Sequence, residues 1–438
     1  MAGLGTKLWT SGEVVTAAGV NGYLQDQVIG TYASTTARDA AFGGAGEPTL
    51  SEGMFAYTTD TNTLWLYSGA TNGWVNLLGS DIGTQALSNR NVVINGAMQV
   101  AQRGTSTASI TANGFYTIDR YNLAVNTLGT WTQSQEADAP TGSGFRNSLK
   151  MLCTTADASP AAADILVISQ RFEGQNVQQF LKGTASAKPF AVSFWVKSNV
   201  TGTYIAELQD IDNTRQVSAS YTISASATWE KKTIIFPADT TGALDNNNEL
   251  SLQVNFWMGA GSDRTSGTLQ TTWASTVNAN RAVGQTNLAA ATNNYWQITG
   301  VQLEAGAVAT PFEFEDFGTT LRKCQRYYQK SYDVTVAPAT ATSVAGILMG
   351  NDGSAANAAP WGMVRFPTTM RAAPTVTFYS YTAGAAGVIS NYSGTDQGAN
   401  SAIAAGAGMT GCYIFNNNGA TVTTTFGWFC HYVASIEL

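Results

Sequence analysis

A chain of 438 residues is too long for one compact core, and about two to four domains are expected. Only 12% of the residues are charged, 29 acidic against 22 basic for a net charge of −7, so the chain carries no electrostatic footprint for nucleic acid. No run approaches the roughly 18 apolar residues of a membrane span, and the opening residues lack the apolar core of a secretion signal; synthesis in a cytosol without membrane insertion is the expectation.

Residues 1–79 read as a small α+β unit. Thr16 can cap a helix whose inner face would be Val20, Tyr23, Leu24 and Val28, and Ser34 or Thr35 can cap a second, short one through Ala37, Ala40 and Ala41. Strand-like runs follow at 54–57, 63–67 and 74–77, with a turn at 60–62 and another at Asn72-Gly73, where glycine tolerates positive φ. A sheet lined by Tyr57, Trp65, Tyr67 and Trp74 has little core of its own and should dock on a neighbour or on copies of itself. Residues 80–90 look like a connector.

From 91 to 316 short apolar-alternating runs recur at 115–118, 121–125, 148–153, 165–172, 190–197, 204–208, 217–223, 231–236, 252–258 and 295–303. Helical periodicity is nearly absent, apart from 177–181. That pattern predicts an antiparallel sandwich of the jelly-roll kind, with Phe190, Val192, Phe194 and Val196 among its core residues. The last run alternates through Trp296, Ile298, Val301 and Leu303, and then the period changes. Phe317, Leu321, Cys324 and Tyr328 fall on one helix face, with Thr319 able to cap, which predicts a linking helix over 317–332. The spacing also suits a seam between copies, although it spans fewer heptads than a coiled coil requires.

Residues 333–438 return to the β-pattern, with strands expected at 363–366, 375–381, 411–415 and 424–436 and a hairpin at 416–419 joining the last two. The loops 350–360 and 383–409 are rich in Gly, Ala, Ser and Asn, and loops of that length are either functional or poorly ordered. No 20–50 residue repeat is present, which argues against a β-helix or propeller. The fold class expected is therefore all-β: a jelly-roll body and a smaller C-terminal β-sandwich, with the small α+β unit in front and one short linking helix.

Chemistry-bearing groups are sparse. Asp210 and Asp212 share one strand face and offer an oxygen-rich cation site or a carboxylate pair, though more simply they solvate a turn. Tryptophans at 131, 195, 229, 257, 273, 296 and 428 alternate with polar neighbours and read mainly as core. Trp361, beside Pro360, and Tyr379, Tyr381 and Tyr392, around the longest loop, are the candidates for stacking on a sugar ring. Cys153, Cys324, Cys412 and Cys430 show no C-x-x-C spacing; they read as buried thiols, and only Cys412 and Cys430 could share a domain. The single histidine, His431, lies in an aromatic final strand, reads as structural, and rules out multi-histidine metal sites.

The motifs NVVINGAMQVAQRG at 91–104, FYTIDRY at 115–121, FWVK at 194–197 and the segment from VQLEAG at 301–306 to Lys330 together resemble a family of bacteriophage tail-fibre and related virion proteins. That resemblance covers about 91–332. It implies a body like the jelly roll of carbohydrate-binding modules, with FAVSFWVKS at 190–198 similar to a strand of their second sheet. KLWTSGEVVT at 7–16 and NGYL at 21–24 resemble the leader of many phage structural proteins, which implies attachment to other virion proteins. VRFP at 364–367 and MRAAPTV at 370–376 are similar to distal tips of such proteins. The resemblance implies a homotrimeric, non-enzymatic subunit of the virion tail that meets a host-surface glycan or lipopolysaccharide, with the helix near a shared axis. Alternatives are a purely structural virion protein, such as a head decoration or tail connector, and a polysaccharide-cleaving tailspike. Jelly rolls of that family sometimes hold a structural calcium, whose ligand positions do not map onto this sequence; no other cofactor is implied.

Overall fold

The computed structural model describes residues 12, 14, 16, 29–43, 49–77, 89–343, 346–350, 360–391, 393–399, 401–415 and 427–438. The chain divides into two compact units, 1–88 and 89–438. In the first, strands β1 (Gly30–Tyr32), β2 (Phe55–Thr58), β3 (Thr63–Tyr67) and β4 (Trp74–Asn76) form one sheet in chain order, with β1 parallel to β2 and the other pairs antiparallel. Helix α1 (Thr35–Asp39) is capped by Ser34, whose side chain accepts the Ala37 N–H at 3.1 Å. Its buried residue is Arg38 rather than the expected alanines: the guanidinium lies 4.6 Å over Trp65 and 4.9 Å over Trp74. Three methyl groups cannot cover two indoles, whereas the arginine stem and cation can. The predicted Asn72-Gly73 turn is a longer link containing one helical turn, α2 (Gly69–Asn72), which ends at Gly73 with φ of 64°. The expected Thr16-capped helix lies outside the described residues.

The second unit begins with the sandwich. Its strands are β5 (Ser106–Ile110), β6 (Gly114–Phe115), β7 (Tyr121–Asn126), β8 (Thr130–Glu136), β9 (Ser148–Thr155), β10 (Ile165–Glu173), β11 (Phe190–Ser198), β12 (Gly202–Asp210), β13 (Arg215–Ile223), β14 (Glu230–Phe236), β15 (Leu250–Ala260), β16 (Ala274–Ser275) and β17 (Tyr295–Ala305). A seven-stranded sheet, β16-β13-β12-β15-β10-β7-β6, faces a six-stranded one, β14-β11-β17-β9-β8-β5. Alternation sends Phe190, Val192, Phe194 and Val196 inward to meet Tyr204, Tyr221, Phe256 and Trp296, all buried. β5, β8 and β16 were not legible: β5 is polar, β8 is a threonine and glutamine run around one tryptophan, and β16 is two residues long. The helical pattern at 177–181 is a pair of 3-10 turns. A bulge between β11 and β17 falls at Gly300, whose φ is 62° and where an added Cβ would lie 2.5 Å from the Phe145 ring, so only glycine fits.

Helix α3 (Ser262–Thr265) sits in the segment after β15, and α4 (Phe317–Gln325) follows β17. α4 stops well short of the expected end at 332. Its cap is Asp316, not Thr319: the Asp316 carboxylate accepts the Thr319 N–H at 2.9 Å and the Thr319 hydroxyl at 2.5 Å, a charged cap that suits the positive helix end better than a hydroxyl. Tyr328 then belongs to a strand, β18 (Tyr328–Lys330), drawn into pairing with the final strand.

The remaining strands are β19 (Leu348–Gly350), β20 (Pro360–Arg365), β21 (Thr375–Tyr379), β22 (Ser390–Asn391), β23 (Ile403–Gly408), β24 (Gly411–Phe415) and β25 (Trp428–Ser435). β25 is the centre of one sheet, pairing with β18, β19, β21 and β22, while β20-β24-β23 make the facing sheet. The two enclose Val364, Met370, Phe378, Ile389, Ile414, Trp428 and Tyr432. The predicted hairpin between the last two strands is corrected by this topology: β24 and β25 lie in different sheets, because each presents an apolar face to the other across the core; residues 416–419 themselves lie outside the described set. Cys153, Cys324, Cys412 and Cys430 are buried free thiols.

Body and tip are joined by buried charge. Arg103 pairs with Glu437 at 2.7 Å and with Asp119 at 3.4 Å, its guanidinium 3.6 Å over Tyr328. Arg120 pairs with Glu437 and lies 3.4 Å over Tyr327. Arg326 grips Glu173 at 2.7 and 2.6 Å, and the Tyr327 hydroxyl donates to the same carboxylate at 2.5 Å. Burial pushes the Asp119 carboxyl up to about 6, against the opposing pull of Arg103 and Gln102. Burial acts on Glu173 in the same direction, but there the hydrogen bonds from Arg326 and Tyr327 win and hold its carboxyl below the usual range. Glu173 therefore stabilises the fold above the ordinary glutamate value of 4.5, and the contribution fades as pH falls below it. Glu173→Gln should cost about 1–3 kcal/mol in urea unfolding at neutral pH, because the half-buried Arg326 guanidinium loses its charged partner while part of it stays in water, and should flatten the acid limb of stability below about pH 4.5. Unfolding curves that superimpose on wild type at both pH values contradict that account.

Candidate binding surfaces

The outward side of the seven-stranded sheet is occupied by its own chain. Glu207 on β12 accepts from Asn255 at 2.8 Å, from Trp257 at 3.1 Å and from Arg281 at 2.8 and 2.9 Å, all at zero exposure of the carboxylate. Arg281 also reaches Gln209 at 3.0 Å and lies 5.2 Å from the Trp257 ring. Val167, Ile205, Trp257 and Ala282 close a small second core beneath the segment after β15. Trp257 is thus buried on the outer, not the inner, side of its sheet. Nothing local to Glu207 marks Arg281, 74 positions on, as its partner.

The cation site read at Asp210 and Asp212 is corrected. Asp210 is fully buried and takes the Lys182 ammonium at 2.5 Å, so a positive charge already fills the space, while Asp212 turns away to accept the Asp245 N–H at 2.9 Å. Lys182 also contacts Asp239 at 3.0 Å. Among the described residues, no three acidic, cysteine or histidine side chains converge as metal ligands.

The helix seam is likewise corrected. Phe317 is exposed and Leu321 half-buried, but Cys324 is fully buried within its own chain and Tyr328 is covered by Arg103. Only the first half of the predicted stripe is free to meet anything else.

Of the stacking candidates, Tyr379 and Tyr381 are half-buried on the tip. Tyr379 is opposite His431 in the β21–β25 register. Tyr381 meets Phe429 edge-on at 5.5 Å between centroids, and the loop at Gly394 returns close to its hydroxyl. Directly beside it, the Asp396 carboxylate accepts from the Thr382 and Ser390 hydroxyls, the latter at 2.7 Å. Ser390 is fully buried and both hydroxyls are committed to Asp396, so a pyranose ring could meet here the half-buried Tyr381 ring with its C–H surface and the outer edges of Thr382 and Asp396 with its hydroxyls. Thr382, Ser390 and Asp396 were missed because ordinary loop residues acquire this meaning only when the loop folds back. Trp361 lies in β20, its side chain outside the described set, and Tyr392 lies outside the described residues. Trp131, Trp257, Trp273, Trp296 and Trp428 are buried, as expected for core.

His431 is fully buried, its ring stacked on Tyr332 at 3.9 Å, with Nδ1 3.0 Å from the Ser331 hydroxyl and Nε2 3.1 Å from the Thr342 carbonyl. The carbonyl can only accept, so the proton sits on Nε2 and Nδ1 accepts from Ser331. That arrangement is structural.

No family model and no curated protein matches the chain. Solved structures do. They include the enzymatically active domain of tailspike protein 4 of bacteriophage CBA120, at 15% identity and a TM-score of 0.26 over 49% of this chain and 21% of that one. A family 4 carbohydrate-binding module is 11% identical with a TM-score of 0.25, over 48% of this chain and 97% of its own. A family 22 module of Clostridium thermocellum Xyn10B is 9% identical with a TM-score of 0.26, over 51% of this chain and 100% of its own. This chain thus spans about a fifth of the tailspike domain. At scores this low, the sandwich rests on the strand pairing itself.

Because His431 is the only histidine, its titration can be followed alone. Burial holds its pKa below 6.5, against the Thr342 hydrogen bond, so the folded state keeps it neutral where the unfolded chain protonates; its stabilising effect is full above pH 6.5 and lost as pH falls below that. A histidine-labelled NMR titration of folded protein should place the midpoint under 6.5. A midpoint at or above that value refutes the buried, neutral ring.

Proposed function

We propose that this chain is a non-enzymatic subunit of a bacteriophage tail fibre, homotrimeric in the virion, whose 1–79 unit joins other virion proteins and whose tip holds host-surface glycan or lipopolysaccharide by non-covalent contacts. The observation that carries the reading is the half-buried Tyr381 ring on the tip, beside the Thr382 hydroxyl and the Asp396 carboxylate. The sequence resemblance at 91–332 supports the virion setting. Weak single-site contacts suffice in such a setting, since linked copies multiply them into avidity.

A purely structural virion role, such as head decoration or connector, is the second reading. It is favoured by the body, where Glu207, Arg281 and Trp257 fill the outer face of the seven-stranded sheet and leave no groove there. A polysaccharide-cleaving activity has the least support. It needs two carboxylates facing across a groove, and the buried Glu173, Glu207 and Asp210 are each committed to a cation.

Fluorescently labelled full-length protein, applied to a panel of bacterial isolates, should coat some strains and protect them from phage that infect them. Tyr381→Ala should lower that coating about tenfold at unchanged thermal stability. Absence of coating on every strain, or equal coating by Tyr381→Ala, rejects receptor binding by this tip.

A further inference from the structure

Lys182, in the segment that leads into β11, holds its ammonium at zero exposure at one end of the sandwich. The backbone on either side is turned to put it there. Leu181 has a left-handed φ of 50°, which a leucine adopts only at a cost, and Gly183 has φ of 81° at a place where an added Cβ would lie 2.3 Å from the Ala243 nitrogen. Four oxygens surround Nζ: Asp210 at 2.5 Å, the Gly242 carbonyl at 2.8 Å, Asp239 at 3.0 Å and the Thr241 carbonyl at 3.1 Å. Asp210 ends β12 in the seven-stranded sheet and Asp239 follows β14 of the six-stranded one. Aromatic rings supply another wall: Trp273 lies 4.9 Å from Nζ, and Phe190 packs on that indole at 5.6 Å.

The two carboxylates are not equivalent. Asp239 is gripped at two points by Arg215, at 2.8 and 3.0 Å, and accepts the Thr241 N–H at 3.0 Å. Burial pushes its carboxyl up, but the hydrogen bonds from Arg215 and Lys182 outweigh burial and hold it below its usual range, so it stays ionised. Among the described residues, Asp210 has Lys182 for its cation; its other partners are the Asn213 N–H at 3.0 Å and the Asn213 side-chain amide at 3.0 and 3.2 Å. Arg215 and Asp239 thus make a complete neutral pair, and Lys182 and Asp210 are the cation and anion left over. Keeping those two ions out of water is costly, whereas joining them removes both charges at once. An amine and a carboxyl fixed against each other also react without the entropy of encounter.

We propose that Lys182 and Asp210 condense in the folded protein to an isopeptide bond, with Asp239 as the proton carrier, so that the body is clamped covalently between the entry to one sheet and a strand of the other. Asp210 takes one proton from the ammonium, and the lone pair of the resulting amine attacks Cγ. Asp239 accepts a second proton from the nitrogen and returns it to the departing hydroxyl, which leaves as water, while the third stays on the amide. The Asn213 donors hold the oxygen on which charge builds during the attack. Water can leave past Asn213, which is exposed, and no oxidant, metal or cofactor is consumed. Condensation with Asp239 instead would strip Arg215 of its carboxylate. The inference rests on neither reading of the virion role.

The test is the intact mass of purified full-length protein, measured after denaturation. Wild type should be lighter than its sequence by one water, and Lys182→Arg should show its full sequence mass. Fragmentation of a proteolytic digest should locate the deficit at a branch joining Lys182 to Asp210. Asp239→Asn, shown to be folded by circular dichroism, should lower the condensed fraction of freshly purified protein about tenfold or more, as loss of a proton-transfer group does. The proposal is overturned if wild type aged for days at neutral pH keeps its full mass. It is equally overturned if Lys182→Arg carries the same deficit, since the water then came from another site such as an aspartate closing to a succinimide, or if Asp239→Asn condenses as completely as wild type. The wild-type mass decides the matter even where a variant fails to fold.

Discussion

Burying guanidinium groups between two β-sandwiches is tolerable only when every charge finds a partner, and that condition organises residues 89–438. Arg103 and Arg120 leave the body, Arg326 leaves the end of α4, and they are met by Asp119, Glu173 and Glu437, the last arriving from beyond the final strand. Apart from the half-buried Arg326, each of these ions would cost several kcal/mol alone in such a setting. The tyrosines complete the arrangement: Tyr327 and Tyr328 lay their rings on Arg120 and Arg103, and the Tyr327 hydroxyl adds a donor to Glu173. The chain must therefore turn from helix to strand at 326–328, because a helix continuing to 332 would carry Tyr328 away from Arg103 and leave the backbone of the final strand unpaired on that side.

The same demand for partners explains why the two faces of the body differ. On the seven-stranded sheet, a glutamate and a tryptophan point outward, and the long segment after β15 folds over them and supplies Arg281. On the six-stranded sheet the loop after β8 brings Asp138 to Gln297 and Phe145 over Gly300, so Gln297, Thr299 and Gln302 are buried there too. Its outward Trp195, Trp229 and Tyr295 stay half-buried, with Lys197 near the Trp229 ring, Lys150 near the Tyr295 ring and Asp138 accepting from the Trp229 indole. The tip repeats that composition on a smaller scale around Tyr381 and Asp396. With only 12% of its residues charged, the chain has few ions to place at its surface.

Much of the fold was legible because a strand's two faces are written within the strand. The alternation at 190–197 and 295–303 gave both the elements and their inward residues, and Ser34 announced α1. The failures share one cause. Asp210 looked like half of a cation site until Lys182, 28 positions away, proved to supply the charge; the 317–332 stripe looked like a seam until Tyr328 was claimed by β25. β8 went unseen because its threonines and glutamines gain their meaning from neighbouring strands.

What the amino-acid order decided by itself was the period of each segment, hence an all-β chain with apolar layers and few titratable groups. Which strand lies beside which, that β24 and β25 part into separate sheets, that Glu207 meets Arg281 and that Trp195 faces solvent while Trp257 does not, were decided only in three dimensions. The reason is that alternation is set by adjacent residues, whereas the cost of burying a charge or an indole depends on what the folded chain brings against it from far along its length.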